Sequence, residues 1–201
     1  CAPGCAPMLV VANHNMDYDP ILVSMAFDDH LYFVASEHVF RWGLLSRLLS
    51  SGFGFDSALK IVNSALLVKS ADECLATLDC AAVDLFTGHV ELYKAGAPAT
   101  YIVKGKRITK CELSSLPAGI LRNIEFAKRT AALDDGDLII MTSDGVGSAE
   151  WLGELICEKK DEGVQQLADD ILSRALEAAR GTREDDISVI AARLKRREND
   201  F

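Results

Sequence analysis

The chain of 201 residues has no apolar stretch approaching the roughly 18–20 residues needed to span a bilayer. No charged n-region precedes a long apolar run, so no secretory signal is expected. Excess positive charge is lacking too. The formal net charge is −9, spread along the chain, and an acidic surface repels phosphate backbones and anionic lipid headgroups. Nucleic acid and membrane surfaces are therefore not expected as partners. The only basic run, Lys195-Arg196-Arg197, reads as a solvated tail. The six cysteines (Cys1, Cys5, Cys74, Cys80, Cys111 and Cys157) show no CxxC pairing and no histidine at zinc spacing, which argues against a zinc site. Cys74, Cys80 and Cys157 lie in apolar segments, where a thiol behaves as a small hydrophobe. A reducing cytoplasm is the expected compartment. Internal repeats and low-complexity segments are absent. The start at Cys1 rather than methionine is expected to reflect a truncated reading frame sooner than a processed lipoprotein.

What is present is an ordinary globular composition, 49% hydrophobic and 25% charged, able to bury a core. Two regions of different character meet near Ser50–Asp56. In the first, Met8–Ala12 reads as a strand that ends in the polar cluster Asn13–Asp19 and Pro20. His30–Ala35 reads as a second strand, and Phe40–Leu49 as a short helix with Leu44, Leu45, Leu48 and Leu49 in one stripe. About fifty residues cannot supply an independent core without staples, so this region must lean on the rest. After a glycine-bearing junction, Ser57–Lys69 reads as a helix with Leu59, Val62, Leu66 and Ala65 facing inward.

A strand-rich block follows. Leu75–Leu85, His89–Tyr93 and Thr100–Val103 read as strands, and Arg107–Cys111 follows the turn Lys104-Gly105-Lys106. Short spacing and glycine-bearing turns predict antiparallel hairpins. Ile124–Thr130 and Leu138–Thr142 continue the sheet, the latter as a fully buried strand. The periodicity predicts a helix over Glu162–Arg180, with Asp161 as N-cap and Gly181 as the stop. Ile187–Leu194 closes the chain as a strand. The expected class is α+β, antiparallel strands layered with helices.

Two acidic clusters sit at strand ends. Leu138-Ile-Ile-Met-Thr142 stops abruptly in Ser143-Asp144-Gly145, and Glu184-Asp185-Asp186 immediately precedes the apolar Ile187–Ala191. A carboxylate at each strand end would let the two meet at one rim of a sheet. Clustered carboxylates repel unless a hard cation neutralises them, and oxygen ligands suit Mg²⁺ or Mn²⁺. Taken singly, Asp-Gly after a strand is more often a turn or helix cap, and Asp-Asp before a strand a solvated loop.

The ordered set of segments resembles the metal-dependent (PPM, type-2C) serine/threonine protein phosphatases, in their stage II sporulation protein E branch. The segments are Ala58–Leu67, Ala76–Leu85, Lys94-Ala-Gly-Ala-Pro98, Leu116–Ile120, Gly136–Gly145 and Asp185-Asp-Ile-Ser-Val189, in the family's order from Phe55 to Leu194. The resemblance implies a partial PPM-type antiparallel β-sandwich flanked by helices, with a two-metal Mn²⁺ or Mg²⁺ centre at one edge. It implies hydrolysis of phosphoserine or phosphothreonine by metal-activated water, without a phosphoenzyme. Asp144 and Asp185 match metal ligands, Asp186 is the lesser choice for the second, Gly145 allows the tight turn, and Ser143 supports the loop. The implied partner is a phosphoprotein of the anti-sigma-factor-antagonist type. The family's opening Gly-Asp strand and Asp-Gly-x-Gly loop have no counterpart upstream of Ser57. Half of the metal site is therefore missing from the sequence, and the expectation is a chain that is inactive or nearly so.

In the place of that half stands Asn13-His14-Asn-Met-Asp-Tyr-Asp19-Pro20, which resembles the first motif of the glycerophospholipid acyltransferases. Phe33-Val-Ala-Ser-Glu37 and Phe40–Leu45 fit the same family. The resemblance implies His14 as general base and Asp19 as its orienting partner. A lone histidine with an aspartate nearby is usually structural, and the family's later Phe-Pro-Glu-Gly-type motif and phosphate-binding arginine have no match. The expected organisation is an acyltransferase-like fragment over residues 1–52, a phosphatase-type domain over 53–195 and a tail over 196–201. A non-catalytic regulatory binding module is the remaining alternative.

Overall fold

A computed structural model of the chain describes residues 8–11, 33–34, 55–69, 77–122, 124–146, 150–179 and 187–195. The elements are β1 (Met8–Val11), β2 (Phe33–Val34), α1 (Phe55–Lys69), β3 (Leu78–Asp84), β4 (His89–Ala95), β5 (Thr100–Lys104), β6 (Arg107–Cys111), β7 (Ala127–Ala132) and β8 (Leu138–Thr142). After a 3₁₀ turn at Asp144–Val146 come α2 (Glu150–Lys159), α3 (Val164–Ala178) and β9 (Val189–Arg193). The strands form one sheet in the order β2-β1-β3-β4-β7 and another in the order β6-β5-β8-β9. Every pairing is antiparallel except β1 with β2. The class is α+β, with antiparallel sheets flanked by helices.

The two sheets share one apolar layer. Successive side chains on a strand point to opposite faces, so Ala81 and Val83 of β3 and Val90 and Leu92 of β4 meet Ile102 of β5 and Ile139 and Met141 of β8. The alternate residues of the second sheet, Tyr101, Val103, Leu138 and Ile140, pack on Leu152 and Ile156 of α2 and Leu167 and Ile171 of α3. Strand β8 is therefore buried on both faces, which is why four consecutive apolar residues, Leu138–Met141, stand there without alternation. The hairpin at Gly105 (φ 56°) follows the expected turn.

Several element ends differ from expectation. Strand β7, which pairs with β4, begins at Ala127, four of its positions are exposed, and Ile124 and Phe126 are buried ahead of it. Helix α3 starts after Gly163, which makes no side-chain cap, rather than after Asp161. The cause is the end of α2: the Glu162 N–H donates to Lys159 C=O at 3.0 Å, so Asp161 is consumed in that turn, where it pairs with Lys160 at 3.2 Å. Gly181 lies outside the described residues. Helix α2 has no counterpart among the expectations. Cys80 and Cys111 are buried, whereas Cys157 is exposed on α2, so only part of the cysteine reading holds.

Helix α1 is tied to the second half of the chain by one side chain. Buried Asn63 accepts from the Gly119 N–H at 2.8 Å and donates to Leu121 C=O at 2.8 Å. Strand β1 lies in the first sheet beside β3, Met8 opposite Asp84 and Leu9 opposite Val83. The helix expected at Phe40–Leu49 lies outside the described residues.

Candidate metal centre

Strand β8 carries apolar residues up to Met141 and then turns polar at Thr142, Ser143 and Asp144. Strand β9 runs antiparallel beside it, Thr142 opposite Val189. The pairing goes one step further, because the Ser143 N–H donates to Ser188 C=O at 2.9 Å. In return the Ser188 N–H donates to Ser143 Oγ at 2.8 Å. Ser143 is buried, and the next residue, Asp144, is exposed. A 3₁₀ turn makes the change of direction, with the Val146 N–H donating to Ser143 C=O at 3.2 Å. Val146 is buried under it. The end of β8 and the start of β9 thus stand at one rim of the second sheet, with Asp144 in solvent.

Gly145 lies inside that turn and is not among the glycines with positive φ. Its backbone angle therefore gives no reason of its own for glycine at that position. Asp185 and Asp186, which stand just before Ser188, lie outside the described residues, as do His14 and Asp19. Among the described residues no three histidines, cysteines, aspartates or glutamates gather where they could hold a metal ion. Asp144 and Gly145 offer oxygen donors, the right kind for a hard cation, but alone they are too few for its usual six ligands.

Sequence reasoning missed a charged pair buried beside this rim. Asp79, at the start of β3, and Lys94, at the end of β4, stand opposite each other and both are buried. Lys94 Nζ donates to Asp79 Oδ2 at 2.5 Å and to Pro98 C=O at 2.5 Å. The Thr100 hydroxyl donates to the same Asp79 oxygen at 3.2 Å. Among the described residues Asp79 Oδ1 has no hydrogen-bond partner. Burial pushes the Asp79 carboxyl above the ordinary carboxylate range and the Lys94 ammonium below that of ordinary lysine, each opposed by the other's charge. Burial also pushes up the neighbouring Cys80 thiol, so it is no nucleophile. No local signal singles the pair out, because each stretch carries a second charge, Asp84 in Leu75–Leu85 and Glu91 in Val90–Ala95.

The comparisons agree with this architecture. A family model described as stage II sporulation protein E (SpoIIE) matches residues 41–195, and one described as acyltransferase matches residues 3–57. Stage II sporulation protein E of Priestia megaterium is 32% identical over 160 residues, covering 76% of this chain and 27% of that protein. Its counterpart in Bacillus subtilis (strain 168) is 30% identical over 159 residues, covering 75% of this chain and 19% of that protein. The chain thus spans about a quarter and about a fifth of the length of these two relatives. In structure, the PP2C phosphatase domain with a fragment of the regulatory domain of SpoIIE from Bacillus subtilis superposes with a TM-score of 0.66 at 30% identity. That match covers 76% of this chain and 49% of that one.

Two antiparallel sheets packed face to face, with helices outside and an acidic loop at the β8 end, make this a PP2C-type phosphatase fold. Residues 41–195 carry the more specific assignment. The chain belongs to the stage II sporulation protein E family.

Proposed function

We propose that this chain carries the later part of a metal-dependent protein serine/threonine phosphatase domain, with Asp144, Gly145, Asp185 and Asp186 as its metal-facing residues. The observation that supports this most is the Ser143–Ser188 linkage, between the residue before Asp144 and the residue two positions after Asp186 in the sequence. When bound, Mn²⁺ or Mg²⁺ supplies an activated water and neutralises charge on the phosphoryl oxygens. The chain's own part is to hold carboxylates at the rim, with Ser143 keeping the β8 and β9 ends in register. The substrate class is a phosphoserine or phosphothreonine protein, and by family a small regulatory partner of the anti-sigma-factor-antagonist type, met in the cytoplasm. Because the opening Gly-Asp strand and Asp-Gly-x-Gly loop have no counterpart upstream of Ser57, turnover by this chain alone is expected to be weak or nil.

The test is manganese-dependent phosphate release from a phosphoprotein or an aryl phosphate, run beside a calorimetric Mn²⁺ titration. Weak binding with little turnover is the expected result. Robust turnover that Asp144→Asn abolishes overturns the impairment. Absence of any metal-dependent heat overturns the metal reading and leaves a non-catalytic binding module.

A second reading draws on the acyltransferase match over residues 3–57. There His14 is the general base on an acceptor hydroxyl and Asp19 orients it. It predicts consumption of acyl-CoA or acyl-carrier protein that His14→Ala abolishes.

A further inference from the structure

Lys94 lies where the first sheet hands the chain to the second. The turn that follows it leads into Thr100 at the start of β5, and β5 runs antiparallel to β8 with Tyr101 opposite Ile140 and Val103 opposite Leu138. The start of β5 therefore stands at the end of β8 that leads into Ser143 and Asp144. Extended one residue beyond the Tyr101–Ile140 pair, this register sets Thr100 toward Met141, so the turn ahead of it leads off the same end of the sheet as the rim.

That turn is anchored from below and from the side. Lys94 Nζ, fixed on Asp79, donates to Pro98 C=O. Ser115 Oγ accepts from the Gly96 N–H at 3.2 Å and donates to Lys94 C=O at 3.0 Å. Gly96 holds a φ of 64° directly against Pro117, leaving no room for a Cβ.

A buried ion pair is a poor device for stability. Desolvation cancels much of its attraction, and a well-packed apolar replacement is often as stable or more so. Here the cost is higher still, because Asp79 Oδ1 is buried without a partner among the described residues. An arrangement that yields so little stability, set under the turn beside the acidic rim, is explained by what it holds in place.

We infer that Asp79 and Lys94 are positioning residues for the acidic rim, holding the Ala95–Ala99 turn so that the β8 end presents Asp144 in one fixed geometry. Neither side chain reaches solvent, so neither touches substrate. They act through Pro98 and Thr100. The consequence for metal binding rests on the phosphatase reading above. The positioning itself does not.

The test replaces both charges in the full chain, Asp79→Leu with Lys94→Met, and follows amide hydrogen exchange together with urea unfolding. Global stability is expected to hold or rise, while the amides of Gly96, Ala97, Asp144 and Gly145 exchange at least about tenfold faster and those of α3 do not change. In the same variant Mn²⁺ affinity is expected to fall at least about fivefold. A folded double variant with unchanged exchange at Asp144 and Gly145 overturns the inference, whatever the metal does. Absence of Mn²⁺ binding by the unaltered protein overturns the phosphatase reading and leaves the exchange result to decide the positioning. Should the double variant not fold, Thr100→Val decides. It is expected to speed the same amides about threefold, and Thr100→Ser, which keeps the hydroxyl donor, to restore them. Equal exchange in those two variants overturns the inference.

Discussion

Ser143 and Ser188 hold each other twice, once through main chain and once through the Ser143 hydroxyl. The hydroxyl bond makes the join stiffer than a strand end secured by main chain alone, and it lies immediately before the residue proposed to face a metal.

Ser143→Ala removes the acceptor of the Ser188 N–H and leaves that partly buried donor without its partner. The expected loss is about 1–3 kcal/mol of unfolding free energy. Urea denaturation measures it, and Ser143→Thr, which keeps the hydroxyl, is expected to recover part of it. An Ala variant as stable as the parent protein contradicts this account of the rim.

Asp144→Asn tests ligand chemistry without touching the fold. Asp144 is exposed, so stability is expected to stay within about 0.5 kcal/mol. Mn²⁺ heat is expected to disappear. A calorimetric trace identical to that of the unaltered protein rules Asp144 out as a ligand.

Gly88 has no tolerance for a side chain. Its φ is 75°, and an added Cβ would collide with the Leu133 carbonyl oxygen, in the place where the Leu133 N–H donates to Gly88 C=O at 2.7 Å. Gly88→Ala is expected to cost at least about 2 kcal/mol, through the backbone conformation and the displaced carbonyl together. A thermal melt at the parent temperature would refute the close approach of β4 and β7 at that end.

The neighbouring turn supplies a pH dependence. Asp84 Oδ1 accepts from the Phe86 N–H at 2.8 Å and the Thr87 N–H at 3.2 Å. These donors hold its carboxyl below its ordinary value of 3.8. A group whose folded-state pKa is depressed stabilises the protein fully above its unfolded pKa and loses that contribution as pH falls through the folded one. Asp84→Ala is therefore expected to be less stable than the parent near about pH 7, with the gap narrowing below about pH 3.8. Paired unfolding curves across that range check it, and a gap that widens in acid has the wrong sign for this turn.

The sequence was most legible where one physical cause dominated. Leu138–Thr142 had to be a buried strand because both of its faces meet apolar layers, the sheet opposite and α2 with α3. Lys104-Gly105-Lys106 had to turn. The rim was legible as well, since an abrupt change from Met141 to Ser143-Asp144 admits few packings. Less legible were features decided by tertiary context. Glu150–Lys159 buries only Leu152 and Ile156, too sparse a stripe to announce a helix. Asp161 is a good capping residue that the preceding turn claimed first. Lys94 sat inside a recognised segment, yet its burial depends on Asp79 across the strand pair and Thr100 in the other sheet. No local pattern contains that information.

The stretches that match two different family models meet in the first sheet. Met8–Val11 falls in the stretch that matches an acyltransferase model, yet it lies hydrogen-bonded along β3 of the phosphatase-type fold. A ladder of peptide groups has no memory of ancestry: any extended segment can supply the amides and carbonyls that an outermost strand leaves unmet. Segments that match different family models can on this account share one continuous sheet, because the ladder asks only for extended backbone.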